Sequence, residues 1–439
     1  MNSNSFFLKG DICRSVSPQS LETAANSFIL CLEGKAAGIY SAIPPQHVQL
    51  PVRDHTGKLI IPGLTDLHTH ASQFSYRALG MDMELLEWLS KMTFPEEAKY
   101  GDIGYAREAY AHFVEQAKRG PNTRLCVYAT VHVEATLCLM DMLEESGLVC
   151  FVGKVNMDRN CPDYLKEKDS AGATREWLDA CLRGKKEGRY KNSSPILTPR
   201  FIPSCTDGLM KSLAAIQKEY GLPLQSHLSE NRREVEWVKE LCPESDSYAA
   251  AYAEAGLLGK GVPTVMAHCV WPEEDEIRLL AERNVCIAHC PQSNTNLSSG
   301  IAPVRRLMER GVRLGLGSDI AGGAHSSVFR AMCDAIQASK LRASLMDQNE
   351  KALTLEEAFY LGTAGSGSFF GKFGSFEIGS DFDALIIDDS GTGESGTGSH
   401  GNSLATPRRL TLRDRLERVV YLSDDRHICG KYVRGRSIF

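Results

Sequence analysis

Two histidines separated by one residue, His68 and His70, end an apolar run that follows a Pro-Gly pair. Alternate residues of a β-strand face the same side, so both imidazoles are predicted to point into one space. This spacing suits two nitrogen ligands of a single metal ion. Short histidine patterns also arise by chance. The position of this pair at a predicted strand end is what favours a metal site.

Three further candidates, His227, His268 and Asp319, also stand at the ends of apolar runs. With about 40 residues to each strand-helix unit, these positions correspond to strands five, six and eight, and His68 and His70 to strand one. The alternative is that His227 and His268 are hydrogen-bonded core residues. Glu230 comes three residues after His227, where its carboxylate could turn back over a metal and carry protons. By itself, Glu230 would be read as a solvated loop residue.

Eight apolar runs between about residue 58 and residue 320 must position these side chains. Stretches such as 207–221 and 272–284 between the runs have the apolar spacing of amphipathic helices. Repetition of strand and helix predicts a parallel sheet, and eight units predict an α/β fold, a (β/α)₈ TIM-like barrel with its active site at the carboxyl ends of the strands. An open doubly wound sheet is the alternative. The runs are LIIPGLTDLHTH, RLCVYATVHVE, LVCFVGKVNMD, ILTPRFIPSC, LPLQSHLSE, TVMAHCVW, VCIAHCPQSN and RLGLGSDIAGG.

The two ends of the chain do not follow this rhythm. Residues 1–60 and 371–439 contain short alternating segments, which predict a small β-sandwich-like domain built from both termini beside a barrel at 61–370. Residues 389–407 are rich in Gly and Ser and are expected to form a mobile insertion, with His400 solvated.

Composition excludes several classes of function. The 439 residues are 43% hydrophobic and 24% charged, as in a folded globular protein, and the net charge of -6 gives no basis for binding nucleic acid or an anionic membrane. No apolar run reaches the roughly 18 residues of a membrane helix, and the start of the sequence lacks a secretory signal, so we expect a cytoplasmic protein. The 14 cysteines form no CxxC pair and are expected to be reduced. Cys286 and Cys290 flank His289, and buried packing is favoured over metal binding for both.

The ligand pattern resembles the amidohydrolase superfamily. Within it, the chain resembles the branch that deaminates guanine, over roughly residues 60–370, while the termini match only loosely. The segments that carry this resemblance are PGLTDLHTHASQFSY, LLEWLSKMTFPEE, LTPRFIPSC, QSHLSENRREV, MAHCVW, AHCPQSNTNLSSG and GLGSDIAGG.

This resemblance implies roles for individual residues. One Zn²⁺ would be bound by His68, His70, His227 and Asp319, and His268 would hold the attacking water or complete the metal site. Glu230 would relay protons. A small purine base would be held by Gln73, Arg200 and Phe201, together with His227, Glu230 and Asp319. Related enzymes also suggest a homodimer.

These roles agree with elementary chemistry. Zinc lowers the pKa of a bound water and supplies hydroxide, which would attack C2 of guanine. Glu230 and Asp319 could move protons to ring N3 and to the departing amine, leaving xanthine and ammonia. The Arg200 guanidinium could donate to the O6 and N7 acceptors of guanine, where adenine presents its own donor. Phe201 is predicted either to stack on the base or to pack in the core, and Trp88 is predicted to pack in the core.

Several alternatives stay open at this point. The absence of a PCxxC segment excludes the nucleobase deaminases of that type. Resemblance to the binuclear barrel hydrolases implies that two metals would need a bridging lysine in the fourth strand, and the fourth run contains none, which favours one metal. Lys154 is expected to have a buried structural role. His289 could reach the substrate or the metal site, whereas His325 is expected in a loop and His132 receives no role. Zinc and iron both suit the donors. The alternative functions are those of another aromatic aminohydrolase, a chlorohydrolase or a non-catalytic scaffold barrel.

Overall fold

The computed structural model of the protein describes residues 4–259, 261–389, 404 and 406–439. Strands and helices alternate through most of this part of the chain. The strands are β1 (Phe6–Ser17), β2 (Ser20–Leu32), β3 (Lys35–Tyr40), β4 (Val52–Pro62), β5 (Leu64–His70), β6 (Asn122–Tyr128), β7 (Val149–Gly153), β8 (Val155–Asn156), β9 (Ser193–Pro195), β10 (Thr198–Pro199), β11 (Leu224–Leu228), β12 (Thr264–His268), β13 (Cys286–His289), β14 (Arg313–Leu316), β15 (Ala384–Ile387), β16 (Ile428–Val433) and β17 (Arg436–Ser437).

The helices begin and end where local chemistry favours it. α6, for example, begins after Thr206, whose hydroxyl accepts a hydrogen bond from Leu209 N, and ends at Gly221 in the left-handed region. The helices are α1 (Leu85–Trp88), α2 (Phe94–Ala98), α3 (Ile103–Arg119), α4 (Val133–Ser146), α5 (Ser170–Lys186), α6 (Asp207–Tyr220), α7 (Arg232–Leu241), α8 (Tyr248–Glu254), α9 (Glu274–Glu282), α10 (Pro291–Asn296), α11 (Val304–Glu309), α12 (Val328–Leu345), α13 (Leu355–Tyr360) and α14 (Leu412–Leu422).

Two parallel four-stranded sheets contain most of the predicted strands. One has the order β5-β6-β7-β9, and the other has the order β11-β12-β13-β14. Every residue of β5, β6, β12 and β13 is buried, as expected for parallel strands covered on both faces. The runs predicted as strands one to eight therefore contain strands. The third run is divided into β7 and β8, and the fourth contains only β10, which pairs with β8 in a separate two-stranded sheet, while β9 lies just before the fourth run.

Backbone hydrogen bonds connect the edges of the two four-stranded sheets. After β14, Asp319 N donates to His68 O at 2.8 Å, and His70 N donates to Ile320 O at 3.0 Å. On the other side, Gln225 N of β11 donates to Leu197 O at 2.9 Å. The carboxyl ends of β5 and β14 consequently lie side by side.

A separate seven-stranded sheet combines both ends of the chain, in the order β17-β16-β15-β4-β1-β2-β3. β1 pairs antiparallel with β2 and parallel with β4, and β15 lies between β4 and β16. Its strands come from the two segments that the sequence predicted to pair. The predicted insertion at 389–407 and His400 lie almost wholly outside the described residues.

Buried ionic contacts connect this sheet to the parallel sheets. Arg124 on β6 is 1% exposed and donates to both oxygens of Asp383, at 3.1 and 3.3 Å, and to Asp381 at 2.8 Å. Lys431 on β16 donates from Nζ to three backbone carbonyls at the end of α3. Within the described ranges, no helix is long and apolar enough to cross a lipid bilayer.

Candidate functional site

The carboxyl ends of four strands carry the predicted metal ligands and their neighbour His268. His68 and His70 end β5, His227 lies in β11 and His268 ends β12. Asp319 follows β14. All are buried except His227, which is partly exposed. Positions far apart in the sequence thus meet at one edge of the parallel sheets.

The four predicted ligand atoms lie within a few ångströms of one another. His70 Nε2 is 3.2 Å from His68 Nε2 and 3.3 Å from His227 Nε2. Asp319 Oδ1 is 3.1 Å from His68 Nε2 and 3.4 Å from His70 Nε2. Tetrahedral ligands on zinc, with bonds of about 2.0 Å, are about 3.3 Å apart. The structure therefore brings these donors together at the spacing that one small cation requires.

Hydrogen bonds on the far side of two imidazoles orient them. His227 Nδ1 lies 2.6 Å from the Arg200 carbonyl oxygen, so Nδ1 carries the proton and donates it. His268 Nδ1 lies 2.9 Å from Asn294 Oδ1 and donates in the same way. Both rings then present an unprotonated Nε2 to the site.

Asp66 holds β5 and the segment after β14 together beneath the site. Its carboxylate accepts from Ser318 Oγ at 2.5 Å, from Ser318 N at 2.9 Å and from His68 N at 3.2 Å. At Gly317, a Cβ atom would lie 2.8 Å from His68 Cβ and 2.8 Å from Cys290 Sγ. Only glycine allows this close approach, which sets Asp319 beside the two histidines.

Three non-glycine residues of the site have left-handed backbone conformations. These are Ser229, His268 and Asp319, with φ of 48°, 75° and 48°. Such conformations are uncommon in side-chain-bearing residues and concentrate at functional sites. Here they turn the chain sharply at the ends of β11, β12 and β14.

Burial determines the protonation of the site. It lowers the pKa of His70 and of His268 to about 4, and it lowers the pKa of His227 well below its usual value. Burial alone would raise the pKa of Asp319, but His68 and the other histidines lower it well below its usual range. At neutral pH, His70, His227 and His268 are therefore neutral imidazoles and Asp319 is a carboxylate, the forms that bind metal ions.

Glu230 lies beside this cluster rather than in solvent. Its carboxyl is buried, with Oε2 3.5 Å from His268 Nε2, and its Oε1 accepts from Ser299 Oγ at 3.5 Å. Burial, followed by the charges of Asp319 and Glu234, raises the pKa of Glu230 well above its usual value. A carboxyl with a raised pKa can hold a proton at neutral pH and transfer it.

A cavity opens onto the cluster, with about 410 Å³ of empty space that includes open solvent. It combines apolar walls with polar groups from several elements. It is lined by His70, Gln73, Leu85, Trp88, Leu89, Arg200, Phe201, His227, Glu230, His268, Leu297 and Asp319.

The three residues predicted to hold the substrate all line this cavity. Arg200 is 2% exposed, and its guanidinium makes two hydrogen bonds with Glu97. Gln73 Nε2 also donates to Glu97. Phe201 is 6% exposed, and its ring packs against Trp237 with centroids 6.3 Å apart. The ring of Phe201 thus contacts both the cavity and a neighbouring helix.

Two functional candidates, Glu97 and Asn294, are absent from the sequence prediction. Glu97 is a buried acid in the apolar segment LLEWLSKMTFPEE, and Asn294 lies in the middle of α10. An acidic residue within a helical apolar segment is a signal for a buried partner, but the sequence does not identify that partner. Trp88 was predicted to pack in the core. It is 2% exposed, and it lines the cavity as well as packing there.

The remaining candidates differ in how close they come to the site. His289 ends β13, and burial lowers its pKa to about 3, but it does not line the cavity. Lys154 is buried and paired with Glu167, as expected for a structural residue. His132 precedes α4, and His325 is exposed in a loop.

The two cysteines around His289 are both buried. Cys286 packs in a small apolar cluster beneath the site. Cys290 packs in the same cluster, but its Sγ also lies within 4.8 Å of ligand atoms of His68, His268 and Asp319. Cys286 therefore has the packing role that the sequence favours. Cys290 packs in the same way but also borders the candidate metal cluster.

Known proteins are similar to this chain in sequence and in overall structure. The sequence profile of the amidohydrolase family matches residues 59–438. A guanine deaminase from Dictyostelium discoideum is 40% identical over 395 residues, covering 89% of this chain and 84% of the relative. A guanine deaminase from Homo sapiens is 37% identical over 387 residues, covering 87% and 83%. A crystal structure of guanine deaminase from C. acetobutylicum, with guanine in the active site, superposes with a TM-score of 0.93 at 42% identity, covering 99% of this chain and all of the other.

Proposed function

Because the chain belongs to the guanine deaminases of the amidohydrolase family, we propose that it hydrolyses guanine to xanthine and ammonia. The observation that carries this proposal is the convergence of His68, His70, His227 and Asp319 at a cavity that also contains Arg200. The first four can hold a metal ion, and Arg200 can recognise a purine edge.

The donor set fits one Zn²⁺ ion. Three imidazole nitrogens and one carboxylate oxygen are the ligand types that zinc prefers, and the lowered pKa values of His70 and His227 keep their lone pairs free. We assign His68, His70, His227 and Asp319 as the ligands. A zinc ion bound there would lower the pKa of a coordinated water toward neutrality.

The protein groups around that ion move the protons. Glu230, which holds a proton, delivers it to ring N3 of guanine and takes up a proton of the attacking water as the water oxygen adds to C2. Asp319 and Glu230 then move the remaining proton of the added oxygen to the exocyclic nitrogen, the bond from C2 to that nitrogen breaks, and ammonia leaves as the C2 carbonyl of xanthine forms. His268 holds the water, since its Nε2 has no hydrogen-bond partner within the described part of the chain.

Arg200 and Gln73 hold the base, and Phe201 packs against its ring. A guanidinium offers two parallel donors, which match the O6 and N7 acceptors of guanine. At the same edge adenine has a donor in place of O6, so the site discriminates against it.

The larger architecture follows from the same family assignment. The two parallel sheets, with the connecting hydrogen bonds at β5 and β11, support a (β/α)₈ barrel at residues 61–370. The seven-stranded sheet supports a small domain from residues 1–60 and 371–439. A cytoplasmic homodimer is the state that we propose for the enzyme.

A substrate screen tests the function directly. Purified protein is supplied with guanine, adenine, cytosine and related aminated or chlorinated heterocycles, and ammonia, chloride and xanthine are measured. We expect ammonia and xanthine from guanine. Turnover of another heterocycle but not guanine would instead indicate a different aminohydrolase or chlorohydrolase, and inactive, metal-free protein would indicate a scaffold.

Replacement of Arg200 by Ala tests the specificity. We expect kcat/KM for guanine to fall by about 100-fold or more, because buried hydrogen bonds from a charged donor are lost. The bound metal, measured by atomic absorption, should be unchanged. Wild-type kinetics in R200A would remove Arg200 from substrate recognition.

A further inference from the structure

Arg200 and Glu97 form a buried ion pair behind the cavity. Arg200 Nη1 donates to Glu97 Oε2 at 2.6 Å, and Arg200 Nη2 donates to Glu97 Oε1 at 3.1 Å. The two side chains are 3% and 2% exposed. Parallel hydrogen bonds of this kind hold a guanidinium in one plane and one orientation.

The same carboxylate also orients Gln73. Gln73 Nε2 donates to Glu97 Oε1 at 3.0 Å, and its amide oxygen accepts from Ala321 N at 3.1 Å. These two contacts determine which end of the amide is oxygen and which is nitrogen. Glu97, on α2, is therefore a common acceptor for two of the residues that line the cavity.

The pairing leaves one edge of the Arg200 guanidinium free. Glu97 occupies the edge formed by Nη1 and Nη2, and Met157 Sδ lies 3.9 Å from Nη1. In the part of the chain that the structure covers, Arg200 Nε donates to no residue, and Nη2 retains a second N–H. These two donors lie side by side, the arrangement that matches adjacent acceptors on a purine.

We propose that Glu97 is a positioning and specificity-determining residue, which binds one edge of Arg200, directs the other edge to the O6 and N7 acceptors of guanine, and fixes the Gln73 amide. The inference rests on the proposed function of the cavity. Glu97 does not itself line the cavity, so its effect on the substrate passes through Arg200 and Gln73.

The negative charge of Glu97 also affects which ligands the site retains. Its carboxylate neutralises Arg200, so the pair adds no net charge to a buried, weakly solvated site. Without it, an unpaired guanidinium would attract anions. Xanthine, the product, has the same O6 and ring-nitrogen edge as guanine and ionises more readily. Glu97 therefore limits retention of the ionised product.

The first test compares E97Q with E96Q. Glu97→Gln keeps the side-chain size and removes the charge, and we expect kcat/KM for guanine to fall by about 10- to 100-fold, mainly through KM. Glu96→Gln is the matched control, because Glu96 is also buried on α2 but pairs with Lys99 and Tyr105 instead. E96Q should keep wild-type kcat/KM, and both variants should retain the wild-type metal content.

Inhibition by xanthine separates positioning from a merely structural role. Its inhibition constant is measured below and above the pH at which xanthine itself ionises. For each enzyme we take the ratio of the inhibition constants of neutral and ionised xanthine. In E97Q, the ionised form should bind more tightly, relative to the neutral form, than it does in the wild-type enzyme. A structural defect would weaken the binding of neutral and ionised xanthine alike and leave the ratio of their inhibition constants unchanged.

E97D covers the case in which E97Q fails to fold. Glu97→Asp keeps the charge but shortens the side chain, so it should keep the wild-type xanthine ratio and still lose kcat/KM for guanine. Wild-type guanine kinetics in E97Q, or in E97D where E97Q does not fold, would overturn the role of Glu97. A wild-type enzyme that releases no ammonia from guanine would overturn the proposed function instead.

Discussion

At the residue scale, the surroundings of Glu230 determine what this carboxyl can do. Its buried Oε2 lies 3.5 Å from His268 Nε2, and its pKa is raised well above the usual value, chiefly by burial. A solvated glutamate would be ionised at neutral pH and a poor proton donor. The turn of the chain after β11 therefore places Glu230 where we propose that it carries protons.

Glu230→Gln should reduce turnover without removing the metal. The amide keeps the size of the side chain but cannot exchange a proton, so kcat should fall by about 100- to 10,000-fold, the usual contribution of a general acid-base group. Steady-state kinetics with guanine and metal analysis check this. E236Q, at an exposed position of α7, is the control, and equal kcat in E230Q and wild type would contradict the assignment.

At the element scale, a buried ionic cluster joins β6 to the segment before β15. Arg124 is enclosed between Asp381, Asp383 and the ring of Phe373, whose centroid is 3.9 Å from the guanidinium carbon. The neighbouring cations, Lys35 and Arg124 foremost, lower the pKa of Asp381 to about 2 despite partial burial. Strands distant in sequence are thereby held in one arrangement.

Arg124→Met should destabilise this junction strongly. Removal of Arg124 takes the ion pair from the buried carboxylate of Asp383, while Asp381 keeps Lys35, and we expect the free energy of unfolding to fall by about 3–5 kcal/mol. Urea denaturation measures the change. Arg119→Met removes an exposed pair with Glu115 and should cost no more than about 1 kcal/mol. Similar losses in the two variants would show that burial does not matter here.

At the scale of the whole molecule, Lys431 connects the C-terminal strand pair to the end of α3. Its Nζ donates to the carbonyls of Ala117, Lys118 and Gly120 at 2.8–3.1 Å. Burial lowers the pKa of Lys431 from 10.5 to about 7. Folding and protonation are therefore linked at this residue.

The linkage predicts a pH dependence of stability. Between pH 7 and pH 10.5 the unfolded chain binds a proton at Lys431 and the folded protein does not. The free energy of unfolding therefore rises with pH through this window, and this gain is lost as the pH falls to 7. Lys431→Met removes the titrating group. Urea unfolding across this range should show wild type gaining stability relative to K431M.

The control for this profile is Lys211→Met, at an exposed lysine of α6. K211M should follow the wild-type curve across the same pH range. A constant difference between wild type and K431M would show that Lys431 does not titrate in this window.

The sequence by itself indicated the strands, the helices and the candidate metal donors. His68 and His70 were recognisable because strand periodicity makes alternate residues share a face, and Asp319 because parallel strands present their carboxyl ends together. The third and fourth strands lie in the predicted regions, but the sequence does not show that each region divides in two, since β7 pairs with β9 whereas β8 pairs with β10. These are local or repetitive patterns, which a linear sequence carries.

Only the tertiary structure decided which side chains pair across elements. Glu97 bonds to Arg200 from a position 103 residues earlier, and Asn294 on α10 bonds to His268 at the end of β12. No spacing rule predicts such contacts, because they depend on how α2 and α10 pack over the strand ends. Local periodicity determines which face a side chain occupies, and packing of the whole chain determines what it meets there.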